Sequence, residues 1–175
     1  MIFRLLYIVL ISVFAIRAKA HEETKISLRV LPTDLDLNLH LTNSRYFKFM
    51  DLSRYSHIIR TGVWKLIKSK KIRPVVGGAA IQFRRSLPLF TKVNITTKIL
   101  SYDKKWIYLA HSIASKDKTY SKAILRTTFI NHKGKIAMGE VFNQLEQSFE
   151  PPYSNKPIRT SDLNTAFNSI DFDQL

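Results

Sequence analysis

Cysteine is absent from the 175 residues of this chain. Its absence excludes a disulfide framework, a zinc site with cysteine ligands and a cysteine nucleophile. Acidic residues are also scarce, because 13 Asp and Glu stand against 28 Lys and Arg, which gives a formal net charge of +15. Such a balance favours anionic partners, namely nucleic acid, an anionic membrane surface or a phosphorylated small molecule. No nucleic-acid-binding motif is present, so we expect no specific nucleic-acid partner.

The chain does contain enough apolar material to build a core. Apolar residues make up 45% of the sequence, which, at this length, is typical of one domain with a single core. No internal repeat and no second domain is indicated. The densest basic group, at residues 65–73, is interpreted as the solvated end of a helix, where cations suit the negative end of the helix dipole.

The first 20 residues form an apolar segment that we expect to lie apart from the folded domain. Residues 5–16 are apolar except for one serine, and Arg17 and Lys19 follow them. The run is short of the roughly 20 residues that cross a bilayer comfortably, and its Ala-x-Ala ending resembles a signal peptide. We predict that residues 1–20 are an uncleaved membrane anchor or a cleaved signal peptide. Anchoring through residues 2–16 implies the secretory pathway, at the endoplasmic reticulum membrane, whereas cleavage implies secretion.

Residues 25–150 have the pattern of one α+β domain. Polar and apolar residues alternate over 25–30, which predicts a strand, and the apolar period over 43–62 predicts a long helix. The predicted buried face of this helix carries Tyr46, Phe49, Met50, Ser53 and His57. Further strands are predicted over residues 79–87, 92–101, 106–115, 119–131 and 136–142. One helix followed by sequential antiparallel strands indicates a sheet that wraps around the helix, and residues 151–175 are predicted to be a polar tail with one short helix near 162–168.

Two acids, Asp34 and Asp36, lie shortly before the predicted helix, for which Thr42 or Asn43 is the expected N-cap. The start of a helix offers free backbone N–H groups and a partial positive charge that can polarise a carbonyl. A carboxylate beside it can attack that carbonyl or activate a water that does so. Acids at such positions also often cap loops and helices. The residues alone leave both roles open for Asp36, while Asp34 is expected to cap or orient the loop.

The motif in this region carries a resemblance to a known family. The segment DLNLHLTNSRY, residues 36–46, resembles the Asp-x-x-Gly-His-Val-Asn-Asn-x-x-Tyr motif of hot-dog-fold thioesterases of the 4-hydroxybenzoyl-CoA thioesterase type. The chain is still more similar to the thioesterase-superfamily-member-six-like branch, small proteins with an apolar N-terminal segment. The similarity runs from about residue 29 to residue 152, and its later parts are Arg84-Arg85-Ser86-Leu87, the Asp103 turn with Tyr108-Leu109, and Glu150-Pro151-Pro152.

The resemblance implies a hot-dog fold and an acyl-CoA thioester hydrolase that forms fatty acid and CoA without a cofactor or a metal. It also implies a homodimer or homotetramer with the active site at a subunit interface. Asp36 would serve as nucleophile or general base, and backbone N–H groups around Asn43 and Ser44 would bind the thioester oxygen. His40 is a candidate for orienting the substrate or Asp36, and a packed or hydrogen-bonded structural role is equally open for it.

Two arginines are the candidates for binding the CoA phosphates. Arg84 and Arg85 are chosen because a guanidinium can bind phosphate through two hydrogen bonds. Side chains alternate between the two faces of a strand, so we expect at most one of the two to face the site.

The chain departs from the motif at two positions. Leu39 stands in place of the glycine, and Thr42 replaces the first of the two asparagines. Glycine lets the backbone approach a ligand closely or adopt a positive φ, so a leucine is expected to narrow the acyl channel or to shift the loop. The alternative function is therefore a catalytically weak or inactive hot-dog protein that binds acyl chains or a lipid-metabolism partner at a membrane.

Overall fold

The computed structural model describes residues 2–103, 105–132 and 134–136. The predicted tail at 151–175, its short helix and nearly all of the predicted strand 136–142 lie outside the described residues. The helices are α1 (Ile2–Phe14), α2 (Asn43–Arg60) and α3 (Val63–Lys70). The strands are β1 (Thr24–Arg29), β2 (Arg73–Phe83), β3 (Lys92–Tyr102), β4 (Ile107–Ser115), β5 (Lys118–Asn131) and β6 (Gly134–Lys135).

The strands form one antiparallel sheet in the order β1-β3-β4-β5-β2, and β6 pairs with β5. β1 alternates buried and exposed residues along its length, as a strand does when one face meets the core. The helix α2 packs against β1 and β3. The predicted α+β hot-dog fold, an antiparallel sheet around one long helix, is confirmed. The observed bounds of β1, β3, β4 and β5 lie within one residue of the predicted ones.

The predicted face of α2 is the face that the core buries. Tyr46, Phe49, Met50, Ser53 and His57 are all buried, because these positions recur at the helical period and so share one side of the helix. The serine on this face is satisfied inside the core, since its Oγ lies 2.7 Å from the Oγ1 of Thr97. The helix ends at Arg60, and Gly62, with φ of 79°, separates it from α3. The predicted stop at Gly62 is confirmed.

The N-terminal helix packs on the domain, contrary to the prediction that residues 1–20 lie apart from it. Ile8 is completely buried, and the Oγ of Ser12 donates a hydrogen bond to the Oγ of Ser56 at 2.8 Å. Arg4, Ile8 and Ser12 are spaced four residues apart, so they form one stripe along the helix that faces the domain. The prediction noted the serine but missed that it shares a stripe with Arg4 and Ile8. Within the described residues, no helix combines the length and the apolar character needed to cross a membrane.

Strand β2 differs from its predicted position. It spans Arg73–Phe83, whereas the sequence predicted a strand over 79–87. Proline and glycine weaken a strand by local preference, but pairing with β5 along the whole strand prevails here. Gly77 is needed there, because a Cβ at this position would lie 2.1 Å from the ring of Trp106. The strand forms one edge of the sheet and ends before Arg84, which changes the geometry of the candidate site.

Two histidines are buried in the core, His57 on α2 and His111 on β4. His57 Nδ1 lies 2.9 Å from the Oγ1 of Thr24, and His111 Nδ1 lies 3.0 Å from the Oγ1 of Thr97. Burial lowers the pKa of His57 to about 4, and burial likewise lowers the pKa of His111. Both imidazoles are therefore neutral in the folded protein at pH 7.

We expect the free energy of unfolding to fall as the pH is lowered from about 6.5 towards 4. Unfolded His57 takes up a proton near its ordinary pKa of 6.5, whereas the folded protein takes it up only near 4. The unfolded state therefore binds more protons in this window. Because of His57, the free energy of unfolding is about 3 kcal/mol lower at pH 4 than at neutral pH. Denaturant titrations at several pH values measure the loss. His57→Gln should flatten the pH dependence, whereas His132→Gln, in an exposed turn, should leave it as it is; equal slopes in the two variants would contradict the prediction.

Candidate active site

The loop that precedes α2 is anchored by a buried carboxylate. Asp34 is 1% exposed, and its two oxygens accept hydrogen bonds from the Arg4 guanidinium at 2.9 and 2.7 Å. Its Oδ2 also accepts the N–H of Leu31 at 2.9 Å, and its backbone carbonyl accepts the N–H of Thr42 at 3.0 Å. Asp34 thus holds both ends of the loop, in agreement with its predicted orienting role.

Asp36 is exposed and lies in a tight turn of this loop. Its Oδ1 accepts the N–H of Asn38 at 2.9 Å and the N–H of His40 at 3.3 Å. Its backbone N–H donates to the His40 carbonyl at 2.9 Å, and its carbonyl accepts the Leu39 N–H at 3.0 Å. Among the described residues, none donates a hydrogen bond to Oδ2 of this carboxylate. One oxygen of Asp36 fixes the turn, and the other is available to a substrate or a water.

Leu39 adopts the backbone conformation that the motif glycine would favour. Its φ is 58°, in the left-handed region that a residue with a Cβ rarely occupies. Its side chain is 71% exposed and does not line the pocket described below. The expected narrowing of the channel is therefore not seen at this pocket, and the leucine instead carries backbone strain.

Leu39→Gly should raise the free energy of unfolding by about 1 kcal/mol, because glycine adopts a positive φ without the clash of a Cβ. Leu37→Gly is the matched control, since Leu37 is fully exposed in the same turn but has no positive φ. The control should lose up to about 1 kcal/mol through the greater freedom of the unfolded chain. Thermal unfolding of the two variants beside the parent chain measures both effects, and a loss in each would show that Leu39 is unstrained.

The first turn of α2 is not capped by a side chain. Thr42 occupies the N-cap position without a side-chain capping bond, and its Oγ1 lies 3.2 Å from the Oγ of Ser44. Asn43 is the first helical residue, so the alternative prediction that it is the cap is wrong. The N–H groups of Asn43 and Ser44 donate to no described residue. These two amides can therefore receive an external acceptor at the positive end of the helix dipole.

A pocket of about 360 Å³ brings five of the six predicted site residues together. Its lining consists of Asp36, Asn38, His40, Leu41, Asn43, Tyr46, Phe83, Arg84, Arg85 and Ser86. Ser44, the sixth predicted residue, is not part of this lining.

The pocket has the loop on one side and the chain that follows β2 on the other. The N–H of Leu41 donates to the carbonyl of Leu87 at 2.9 Å, and His40 pairs with Pro88 in a short β-bridge. These backbone contacts hold the two walls together. A carboxylate, an imidazole and the start of a helix are thereby placed around one opening.

Both candidate arginines are among the residues that line the pocket, and the alternating strand geometry behind the expectation that only one faces the site does not extend to them. β2 ends at Phe83, and the next two residues leave the alternating geometry of the strand. The backbone N–H groups of Arg84 and Arg85 both donate to the carbonyl of Tyr120, at 2.8 and 3.3 Å. An arginine guanidinium at such an opening suits an anionic group such as a phosphate.

Tyr46 and Phe83 belong to the pocket although the sequence did not assign them to it. Tyr46 was predicted to be core; it is 2% exposed, and its ring meets that of Phe83 edge to face at 5.0 Å between centroids. Burial raises the pKa of Tyr46 to about 12, so its hydroxyl remains protonated and donates to the Arg85 carbonyl at 3.4 Å. Tyr46 is the final tyrosine of the motif, which is the signal that could have assigned it to the site. Nothing in the sequence indicated Phe83.

A second cavity of about 130 Å³ lies between the C-terminal half of α2 and the sheet. Arg54, His57, Thr97, Val76 and Phe129 are among the residues that line it. Asn43 and Arg54 are 11 positions apart, a separation of about 16 Å along the helix. None of the predicted site residues lines this cavity, so the catalytic hypothesis concerns the first pocket alone.

Comparison with known proteins places the chain among thioesterase-like proteins. It is 35% identical over 97 residues to Protein THEM6 of Danio rerio, covering 55% of this chain and 48% of that one. The chain spans about half the length of the curated relatives it matches. The resemblance to this branch, predicted from the sequence, is confirmed.

Solved structures agree on the fold. The Escherichia coli protein YbaW, described as a probable thioesterase, aligns with a TM-score of 0.66 at 23% identity, over 72% of this chain and 98% of that one. A mutant 4-hydroxybenzoyl CoA thioesterase in complex with 4-hydroxybenzoyl CoA aligns with a TM-score of 0.64 at 14% identity, over 70% and 97% of the two chains. A family model described as the thioesterase-like superfamily matches residues 30–160, most of the sequence, and the chain therefore belongs to the thioesterase-like superfamily.

Proposed function

We propose that this protein hydrolyses fatty acyl-CoA thioesters to fatty acid and CoA. The observation that carries the proposal is the shared pocket, where a carboxylate with one free oxygen, an uncapped helix start and two arginines surround a single opening. Family membership supports thioester hydrolysis as the reaction class. A solved structure of similar fold holds a CoA thioester, as its description states, which supports CoA as the carrier.

The pocket supplies the groups that thioester hydrolysis requires. The thioester carbonyl oxygen is placed at the N–H groups of Asn43 and Ser44, where an oxyanion can be stabilised by about 3 kcal/mol per donor. Asp36 Oδ2 removes a proton from a water that attacks the carbonyl carbon, or attacks that carbon itself to form an anhydride that water then hydrolyses. In either course the carbon–sulfur bond breaks, the CoA sulfur leaves as a thiolate and takes up a proton, and the acyl group leaves as a carboxylate.

The remaining groups bind and orient the substrate in this proposal. Arg84 and Arg85 bind the CoA phosphates, since their guanidinium groups can form paired hydrogen bonds with phosphate oxygens. His40 holds the turn through its backbone bonds to Asp36, and it is one of the residues that line the pocket. No step calls for a metal or a cofactor.

The active unit in this proposal is a homodimer or a homotetramer. β2 is an edge strand in which every residue is at least partly exposed, including the apolar Val75, Val76 and Phe83. An edge of this kind presents unpaired backbone groups to a second chain. Because Phe83 also lines the pocket, pairing along β2 would bring a partner close to the site.

Turnover of the 175-residue chain on acyl-CoAs of several chain lengths tests the proposal. The rate at which free CoA thiol is released, followed with a thiol reagent, should exceed the uncatalysed rate. The protein itself does not react with the reagent, because it has no cysteine. Acyl-CoA binding, measured by calorimetry on the same preparation, is the companion experiment. Binding without turnover would overturn the hydrolase proposal in favour of the acyl-binding alternative.

A further inference from the structure

The polar and apolar faces of the N-terminal helix α1 are reversed relative to those of an ordinary surface helix. Its two polar residues other than tyrosine, Arg4 and Ser12, face the domain, where they bond to Asp34 and Ser56. The outer face is apolar and includes Phe3, Leu6, Leu10, Val13 and Phe14, of which the two phenylalanines are each 82% exposed. A helix on a protein surface normally turns its apolar stripe inward. A continuous exposed apolar face instead marks an interaction site.

The dimensions of α1 indicate how it would meet a membrane. The helix has 13 residues, a length of about 20 Å. The hydrocarbon core of a bilayer is about 30 Å thick. One side of α1 is also occupied by the domain, since Ile8 and Ser12 are buried. The helix is thus suited to lie along a membrane surface with its outer face towards the lipid.

Basic residues adjoin one end of the apolar face. The Arg17 guanidinium donates to the carbonyl of Ile59 at 2.9 Å, and Arg60 Nε donates to the carbonyl of Ile16 at 3.0 Å. These bonds fix the end of α1 to the end of α2, from which α3 follows. The exposed cations on and after α3 are Lys65, Lys68, Lys70, Lys71 and Arg73. Apolar side chains beside a basic cluster suit an anionic lipid surface, because the former can enter the acyl-chain region while the latter contacts the headgroup phosphates.

We propose that the outer face of α1 docks the protein on a membrane containing anionic lipids. The helix lies in the plane of the headgroups, its apolar side chains enter the acyl boundary, and the α3 lysines meet the lipid phosphates. A second copy of the chain fits this face less well, because each copy carries a formal charge of +15 and the basic clusters would repel. Docking leaves the β2 edge uncovered, since β1, beside α1, and β2 are the opposite edges of the sheet.

Sedimentation with vesicles tests the docking surface. The 175-residue chain should bind vesicles of phosphatidylcholine and phosphatidylserine more tightly than pure phosphatidylcholine vesicles, and salt should reduce the difference. Leu10→Glu and Phe14→Glu should each lower binding about tenfold or more, while circular dichroism shows an unchanged unfolding midpoint. Leu37→Glu, at a fully exposed leucine of the loop before α2, is the control and should bind as the parent does. Parent-like binding by both α1 variants overturns the proposal, as does an α1-dependent dimer that binds no vesicles.

The orientation of α1 is tested separately with fluorescent labels. Because the chain has no cysteine, each single variant provides one labelling site. Phe3→Cys labels the N-terminal end of the outer face, and Phe14→Cys labels its C-terminal end. Both labels should be quenched by lipids that carry a shallow quencher, and to a similar extent. Deep burial of one label alone would mean that α1 enters the membrane end-on and would overturn the in-plane arrangement. Neither experiment depends on thioester hydrolysis, so failure of one proposal does not decide the other.

Discussion

Asp36→Asn should lower kcat for acyl-CoA hydrolysis by about 10²- to 10⁴-fold, the usual contribution of a positioned acid or base. The amide oxygen of asparagine can still accept the N–H groups of Asn38 and His40, which Asp36 Oδ1 now accepts at 2.9 and 3.3 Å. The turn should therefore survive while the free, negatively charged oxygen is lost. Binding of acyl-CoA should change little, because the arginines and the helix amides remain.

The assay for Asp36→Asn measures kcat and KM on the best acyl-CoA substrate, together with the unfolding midpoint. Asp117→Asn is the control, since Asp117 is an exposed acid in the turn between β4 and β5, outside the pocket. This variant should keep the parent rate. Equal turnover in Asp36→Asn and the parent would show that Asp36 takes no part in catalysis and only fixes the turn.

The fold was predictable where one physical signal dominated. The helical period placed Tyr46, Phe49 and Met50 on the buried side of α2, and the structure buries all three. The bounds of β2 were not predictable in the same way. Pro74 and Gly77 weaken a strand by local preference, whereas pairing with β5 and the ring of Trp106 against Gly77 determine the outcome. These are contacts between segments far apart in sequence.

The membership of the candidate site was predicted better than its geometry. The motif indicated Asp36 and the start of α2, and the structure places Asp36, His40 and Asn43 around one pocket. The hydrogen bonds that occupy only one oxygen of Asp36 depend on the shape of the turn, which the motif does not specify. The positions of Arg84 and Arg85 depend on where β2 ends, so the error in that strand became an error in the site.

Arg4→Met should lower the free energy of unfolding by about 3 kcal/mol, because it leaves a buried carboxylate without its principal partner. Asp34 is 1% exposed, and beyond Arg4 its carboxylate retains the N–H of Leu31 at 2.9 Å and the Nε of Arg45 at 3.6 Å. In a chain of this size the loss corresponds to about 6–12 °C in Tm. Arg17→Met, an exposed arginine in the same segment, should cost no more than about 1 kcal/mol.

A double variant separates the ion pair from packing. Arg4→Met with Asp34→Asn removes both charges, and the asparagine can still accept the N–H of Leu31, so the double variant should be more stable than Arg4→Met alone. If instead the two losses add, the pair is not coupled, and α1 is held by its other contacts, such as the burial of Ile8 and the Ser12–Ser56 hydrogen bond. Coupling would show that the helix proposed to dock on lipid is linked through Asp34 to the N-cap of α2, since the Asp34 carbonyl accepts the N–H of Thr42. Hydrolysis by Arg4→Met should then decline together with its stability, since the same carboxylate holds the loop that carries Asp36.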